Sequence, residues 1–157
     1  MRLYVGRLHA GPLCGHGVRG ETELSDDANV LAANAAFYAA FAERDVAAME
    51  RLWATQHQAA CIHPGWGPLH GRDAVMESWR RILGSANAPK IACQAPRAYV
   101  MGEIAFVLCF EAVPGGHLIA TNIFVRENGE WRMVHHQASP TNDAPPAPGP
   151  ESKTTVL

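Results

Sequence analysis

The spacing of hydrophobic residues changes once along this chain, near Pro89. Before it, apolar side chains recur every three or four residues, the period of an amphipathic helix, in the stretches 30–41, 46–53 and 75–82. Ser25 and Asp45 are the expected N-caps of the first two helices. After it, apolar and polar residues alternate as in strands, over 90–101, 103–113, 117–126 and 131–139. A short strand is also expected at 58–63, and helices followed by an antiparallel meander predict an α+β fold.

The strongest local signal is Asn128-Gly129 between two alternating runs. A type I′ turn needs positive φ at both central positions, which asparagine and glycine tolerate. A regular hairpin around this turn would set Asn122 opposite His135 and Thr121 opposite His136. Because opposed residues share a face, His135 is expected on the side of Asn122, and His136 on the other side.

A turn at Gly115-Gly116 would pair Cys109 with Asn122 and Glu111 with Ala120. One sheet face then mixes polar and apolar groups: Val107, Cys109, Glu111, Asn122, Phe124, Met133, His135 and Gln137. The opposite face is mainly apolar: Phe106, Leu108, Phe110, Ile119, Thr121, Ile123, Val134 and His136. The mixed face suits a ligand pocket covered by the helices. The other face needs a cover, most simply a second copy of the chain, so a homodimer through the outer sheet face is expected.

Composition narrows the class of protein. The 157 residues, 48% hydrophobic, are enough for one domain, expected at 25–140. A Gly-rich mobile leader is expected at 1–24 and a Pro-rich mobile tail at 141–157. The net charge of −2, without a basic stripe, argues against nucleic acid and membrane partners, and no apolar run reaches the length of a membrane span. Four cysteines without C-x-x-C spacing favour reduced thiols and a cytoplasmic location.

Several segments together resemble the nuclear transport factor 2-like superfamily, and within it the SnoaL-like branch. They are His63-Pro64-Gly65-Trp66, Leu69-His70-Gly71-Arg72-Asp73-Ala74-Val75, Asn122-Ile123-Phe124 and the run from Trp131 to Pro140. The resemblance implies a cone-shaped, curved antiparallel sheet packed on three N-terminal helices around a deep pocket. The superfamily mixes enzymes with binding modules, so the fold does not fix the function.

Two branches of the superfamily, one of enzymes and one of assembly domains, can be compared with this chain residue by residue. In the ketosteroid isomerase branch, a tyrosine and two aspartates do the chemistry, and the corresponding positions here hold Phe37, His63 and Asn122. A phenol and an acidic donor are therefore expected to be missing, while His63 could replace an aspartate as the base. The kinase II association-domain branch is similar over 131–139, but its pocket arginine has no counterpart on 105–111.

The expected catalytic residues are His63, Asn122 and His135. The expected ligand-binding residues are Phe37, Tyr38, Trp66, Trp79, Cys109, Glu111 and Phe124. For Glu111, exposure near the strand end is favoured over burial with a raised pKa or contact with an arginine or histidine. His63 could instead hydrogen-bond loop backbone, and the pair of Asn122 and His135 could be a satisfied core contact. No cofactor is expected. Metal binding is the less favoured hypothesis for two sets of residues: His63, His70 and His135, or His9, Cys14 and His16 in the leader.

Two functional hypotheses follow. The first is a small-molecule-binding protein that acts as an isomerase, dehydratase or cyclase on a mostly apolar carbonyl compound. His63 would accept the proton, and Asn122 with His135 would polarise the carbonyl. The alternative is a non-catalytic ligand-binding or dimerisation module similar to the kinase II association domain.

Overall fold

The computed structural model describes residues 25–147. The expected leader, with its candidate metal ligands, and residues 148–157 of the expected tail lie outside this range. The order of elements is α1 (Asp26–Glu43), α2 (Val46–Leu52), β1 (Ala60–Ile62), β2 (Leu69–His70), α3 (Arg72–Gly84), β3 (Ala92–Met101), β4 (Ile104–Val113), β5 (Gly116–Glu127) and β6 (Glu130–Thr141). The predicted α+β class, with helices first, is confirmed. Within 25–147, no helix combines the length and the apolar character needed to cross a bilayer.

Six strands form one curved, open sheet in the order β2-β1-β6-β5-β4-β3. Strands β3 to β6 are the expected antiparallel meander. The sheet as a whole is mixed, however, because β1 runs parallel to β6, with Cys61 beside His136. A parallel pair needs a long connection, and here α3 and the other strands all lie between β1 and β6 in sequence.

The first two helices begin at their predicted caps. Ser25 Oγ accepts a hydrogen bond from the Ala28 N–H at 3.3 Å, and Asp45 Oδ1 accepts one from the Ala48 N–H at 2.9 Å. These contacts satisfy backbone donors that have no partner inside a helix. The core lies between the helices and the concave face of the sheet. Its largest fully buried side chains include Trp53, Phe37, Phe124, Met49 and Met133.

The hairpin of β5 and β6 has the predicted turn but a different register. Asn128 and Gly129 have φ values of 53° and 83°, and Phe124 pairs with Met133 as expected. A β-bulge follows, so that Ile123 pairs with His135 and Asn122 with His136. The predicted pairs of Asn122 with His135 and of Thr121 with His136 are therefore wrong.

The bulge reverses the faces of the residues that follow it. Val134 is the extra residue, with no partner on β5, and a one-residue insertion turns every later side chain to the other side. His136 is consequently buried, 4% exposed, on the concave side, whereas His135 is half-buried and Gln137 is exposed. The predicted faces of these three residues are corrected accordingly.

The hairpin of β4 and β5 departs from the prediction without changing any face. Val113 pairs with Gly116, so Pro114 and Gly115 form the turn, and Asn122 pairs with Val107 instead of Cys109. The shift amounts to two residues, which is the side-chain period of a strand. Cys109, Glu111, Asn122 and Phe124 therefore stay on the concave face as predicted, and all four are buried.

Glu127, at the end of β5, fastens the loop after α2 to the sheet. Its carboxylate accepts hydrogen bonds from the backbone N–H groups of Thr55, Gln56 and His57, at 2.9 to 3.1 Å, and from His57 Nδ1 at 2.9 Å. Burial alone would raise its pKa, but these hydrogen bonds lower the pKa to about 2. The stabilisation is fully present above the ordinary pKa of glutamate and is lost as the pH falls through about 2.

We therefore expect Glu127→Gln to lower the free energy of unfolding by about 2 kcal/mol at neutral pH, because an uncharged amide serves these donors poorly. Urea unfolding followed by circular dichroism measures the change. Glu130→Gln is the matched control, since Glu130 lies on the exposed side of the same turn and should change stability by under about 0.5 kcal/mol. Equal losses in the two variants would show that Glu127 is not a special anchor.

Candidate functional site

A cavity of about 300 Å³ opens between the helices and the concave face of the sheet. Its wall is mostly apolar and includes Phe41, Pro64, Trp66, Trp79, Ile82, Pro89, Ile91, Val113 and Leu118. Three titratable side chains also line it: His63 after β1, Glu111 on β4 and His136 on β6. An apolar cavity with a few convergent polar groups is the usual form of a small-molecule site.

A larger groove, of about 860 Å³, runs along α2 and the turn between β5 and β6. Its Arg72 donates to the backbone carbonyls of Glu50, Trp53 and Ala54. Its Arg132 donates to the backbone carbonyl of Arg51. These guanidinium groups serve the backbone, so we place the candidate site in the smaller cavity.

Glu111 is 2% exposed, and the favoured expectation that it is exposed near a strand end is wrong. Its Oε1 accepts a hydrogen bond from the Tyr38 hydroxyl at 2.8 Å and lies 3.9 Å from His136 Nε2. Burial raises the pKa of Glu111, and the hydrogen bond from Tyr38 offsets only part of that rise. The alternative expectation, a buried carboxyl with a raised pKa next to a histidine, describes the structure.

Asn122 lies behind the cavity and is completely buried. Its amide group donates to Asn34 Oδ1 at 2.7 Å and to the Tyr38 hydroxyl at 3.2 Å. Its oxygen accepts from His136 Nδ1 at 2.6 Å. Both amide hydrogens are thus engaged by the protein, so the predicted role of Asn122 in polarising a ligand carbonyl does not fit this geometry, and Asn122 acts as a positioning residue.

His136 has its tautomer fixed by Asn122. Because Nδ1 donates its hydrogen to Asn122, the neutral ring has its lone pair on Nε2, on the side of Glu111. Burial and the neighbouring His63 and His135 lower the pKa of His136 to about 3. At neutral pH His136 is therefore an uncharged hydrogen-bond acceptor.

His63 has its tautomer fixed by α3. Ser78 donates its only hydroxyl hydrogen to the Val75 carbonyl at 2.7 Å, so its oxygen accepts from His63 Nε2 at 2.8 Å. The lone pair of the neutral ring is then on Nδ1. Cys61 Sγ lies 3.9 Å from Nδ1 and 3.8 Å from Nε2, and such nearly equal distances mean that it is aligned with neither nitrogen. Burial lowers the pKa of His63 to about 4.

The indole rings hold His63 in place. Trp79 packs edge-to-face on the His63 ring with centroids 4.7 Å apart, and its ring also lies 5.8 Å from that of His136. Trp66 packs on His63 from the outside at 5.0 Å and is 41% exposed, which places it at the mouth of the cavity. The alternative expectation, that the His63 side chain hydrogen-bonds loop backbone, is wrong, because its ring hydrogen-bonds to the Ser78 side chain.

The structure thus sorts the predicted site residues into three groups. His63, Trp66, Trp79 and Glu111 line the cavity. Phe37, Tyr38, Cys109, Asn122 and Phe124 form the buried layer beneath them. His135 lies on the other side of the sheet.

Sequence reasoning missed His136 as a cavity residue. The adjacent pair of histidines was the available signal, because one of two neighbouring strand residues must face inward.

The expected lack of a phenol and an acidic donor is also corrected. Tyr38, one position after Phe37, supplies a phenol, and Glu111, on a different strand from Asn122, supplies a carboxyl group. Tyr38 and Glu111 meet at 2.8 Å, and Asn122 bonds to the same phenol. Within residues 25–147, no cluster of three or more histidine, cysteine or acidic side chains has the arrangement of a metal site.

The family model of the SnoaL-like domain matches residues 30–143, most of the chain. The chain belongs to the SnoaL-like family. This SnoaL-like domain is part of the nuclear transport factor 2-like superfamily, whose ligand-binding and isomerase-type members share its fold.

Two solved structures and one longer protein are similar to this SnoaL-like chain. A candidate dehydratase of the NTF2-like family from Streptomyces avermitilis is 30% identical, with a TM-score of 0.70, covering 75% of this chain and 97% of its own. A candidate calcium/calmodulin-dependent protein kinase type II association domain from Thiobacillus denitrificans is 36% identical, with a TM-score of 0.63, covering 71% and 94%. The F-box protein SKIP8 of Arabidopsis thaliana is 29% identical over 112 residues, which are 70% of this chain and 48% of SKIP8. The SnoaL-like chain therefore spans about half the length of that curated relative.

The lowered pKa of His63 predicts an acid-sensitive fold. A buried neutral histidine contributes stability that is present above its ordinary pKa of 6.5 and is lost as the pH falls through about 4. His63→Gln keeps a donor for Ser78 but does not titrate, so its loss of stability between these pH values should be smaller by about 2–3 kcal/mol. Urea unfolding at several pH values measures this, with His70→Gln on the exposed side of β2 as the control. Parallel curves for wild type and His63→Gln would contradict the assignment.

Proposed function

We propose that this SnoaL-like protein binds a small, uncharged, mostly apolar carbonyl compound in the cavity, removes a proton from a carbon beside the carbonyl group and returns it elsewhere on the substrate. The observation that carries the proposal is the presence of an acid and a base, both favoured in their neutral forms, in one apolar cavity. The reaction class is isomerisation or dehydration. The likeness to a candidate dehydratase at 30% identity supports this class.

The electrostatics of the wall favour an uncharged ligand. No lysine or arginine lines the cavity among the described residues. Burial lowers the pKa of both imidazoles and raises the pKa of the Glu111 carboxyl, so every titratable group of the wall is biased toward its neutral form. A charged ligand would lose its hydration here without gaining an opposite charge.

Each polar group then has a distinct part in the chemistry. In its neutral form, which burial favours, Glu111 donates a hydrogen bond to the carbonyl oxygen, where negative charge develops when a neighbouring C–H bond breaks. His63 Nδ1 accepts the proton from that carbon and returns it elsewhere on the substrate. Opposite shifts in the pKa of an acid and a base suit this division of roles. Tyr38 and Asn122 position Glu111 and His136 without touching the substrate.

Proton removal is tested directly by hydrogen exchange of a simple ketone. We expect the protein to accelerate deuterium uptake at the carbons beside the carbonyl of benzylacetone in D₂O, measured by NMR. His63→Gln should lose about a hundredfold or more of this rate, the usual contribution of a general base. His70→Gln should exchange like the wild type.

Two results would overturn the proposal. One is exchange no faster than in buffer with the same concentration of imidazole. The other is an equal rate in His63→Gln and wild type when thermal unfolding shows both to be folded.

A second function is favoured by the outer face of the sheet. Tyr99, Leu108 and Ile119 are 39%, 37% and 36% exposed, respectively, and Tyr99 stacks on Phe106 at 4.7 Å. We propose that this face pairs two copies of the chain, because contiguous exposed apolar surface usually marks an interaction site. The likeness to a candidate kinase association domain at 36% identity supports an assembly role.

Leu108→Glu tests this interface, because it puts a charge on the apolar face that would be desolvated in the dimer. We expect the wild type to sediment as a dimer at micromolar concentration and the variant as a monomer. Gln58→Glu adds the same charge on an exposed loop away from this face and should remain dimeric. A Leu108→Glu dimer, or a wild-type monomer, would exclude the outer-face pairing.

We also propose a cytoplasmic location. The three cysteines of the described residues, Cys61, Cys93 and Cys109, are free thiols. Burial, with the nearby Glu111, raises the pKa of Cys61 to about 12 and so keeps it as an unreactive thiol. Reduced cysteines are typical of the cytoplasm.

A further inference from the structure

We propose that the substrate is a β-hydroxy ketone, whose carbonyl oxygen binds Glu111 and whose hydroxyl group donates to His136 Nε2, and that the reaction is loss of water. This inference rests on the proposed function and deepens it. It names the class of substrate and selects dehydration over isomerisation.

The first step is to count what the cavity presents to a ligand. Burial raises the pKa of Glu111 and so favours its neutral form, and because Oε1 accepts from Tyr38, the one hydrogen-bond donor of that form is on Oε2. His63 Nδ1 offers a lone pair for the C–H proton. The remaining group is the lone pair of His136 Nε2. Removal of a proton from a plain ketone does not require it.

His136 Nε2 lacks a close protein partner among the described residues. Its separation of 3.9 Å from Glu111 Oε1 is too long for a hydrogen bond. Asn122 holds the other ring nitrogen at 2.6 Å, so the ring cannot turn its lone pair away from the cavity without losing that contact. A buried acceptor held this way is satisfied by a hydrogen that the ligand brings.

The spacing of the two groups suits a ketone with a nearby hydroxyl. Glu111 and His136 are adjacent but not bonded to each other, so each can contact one of two neighbouring ligand oxygens. The ligand oxygen on Glu111 accepts a hydrogen, and the ligand oxygen on His136 donates one. A carbonyl and a hydroxyl separated by one carbon have this order of acceptor and donor.

The same placement gives a balanced elimination. His63 Nδ1 takes the proton from the carbon between the two oxygen-bearing carbons, and the electron pair of that C–H bond forms the new C=C bond. The C–O bond of the hydroxyl group breaks. The departing oxygen accepts from His63 the proton that came from the carbon, and it leaves as water. His63 is neutral before and after, Glu111 keeps its proton, and no oxidant or further reactant is needed.

The test compares three ligands on the wild-type protein: benzylacetone, its β-hydroxy derivative and the methyl ether of that derivative. We expect the hydroxy compound to bind at least tenfold more tightly than benzylacetone by calorimetry, because a buried acceptor discriminates against ligands without a donor. The methyl ether keeps the oxygen but has no hydrogen to donate, and it should lose this advantage. Turnover of the hydroxy compound should give benzylideneacetone, followed by its near-ultraviolet absorbance.

A matched pair of variants assigns the hydroxyl contact to His136. In His136→Asn the short amide can still donate to Asn122 but has no atom at the position of Nε2, so the preference for the hydroxy compound should fall to within about twofold. In His136→Gln the longer amide can place its oxygen where Nε2 was, and we expect part of the preference to return. Because His136 lines the cavity, affinity for benzylacetone itself can change in both variants, so the readout is the ratio of the two affinities within each variant.

The outcomes separate this inference from the proposed function. Deuterium exchange of benzylacetone with no preference for the hydroxy compound would overturn the β-hydroxy ketone and leave the proposed function standing. An equally tight methyl ether, or a preference that survives in His136→Asn, would likewise overturn it. The absence of both exchange and binding for every ketone would overturn the proposed function itself. Should His136→Asn fail to fold, the three-ligand comparison on the wild type still decides.

Discussion

The rest of the site depends on the hydrogen bonds of the buried Asn122 carboxamide. This group has two hydrogens and an oxygen to satisfy away from water, and they are taken by Asn34 and Tyr38 of α1 and by His136 of β6. Leaving any of these groups unpaired in the core would cost free energy, so the partners fix one another. Through Tyr38 the constraint passes to Glu111 on β4. One side chain thus sets α1 against three strands and sets the donor and acceptor pattern of the cavity.

Desolvation is the second constraint, and it acts on acids and bases in opposite directions. The apolar wall disfavours every charge, so it raises the pKa of Glu111 and lowers the pKa of His63 and His136. These opposite shifts favour the neutral carboxyl and the neutral imidazoles over an ion pair between them. Glu127 shows the contrast, because hydrogen bonds from the Thr55–His57 segment outweigh burial and lower its pKa to about 2. The same residue type is an anchor in one place and a candidate proton donor in the other.

The two faces of the sheet differ in the side chains that they carry. The concave face carries the polar network and the cavity, and the convex face carries exposed apolar side chains such as Tyr99, Leu108 and Ile119. Because adjacent strand residues point to opposite faces, the proposed chemistry on one side and the proposed association on the other can change independently. This arrangement is compatible with a family in which similar structures include a candidate dehydratase and a candidate association domain.

The sequence by itself determined the three helices, every strand except the two-residue β2, the turn at Asn128-Gly129, and the caps at Ser25 and Asp45. It also determined the concave placement of Cys109, Glu111 and Asn122, because period, turn chemistry and capping are local properties. The two-residue error in the predicted register of β4 and β5 left these faces unchanged, because two residues are the side-chain period of a strand. Only the tertiary structure decided that a bulge at Val134 turns His136 inward and His135 outward, because an unpaired residue depends on how β6 fits both β5 and β1. It also decided the burial of Glu111 beside Tyr38, a contact between residues 73 positions apart, and with that burial the upward shift of the pKa of Glu111.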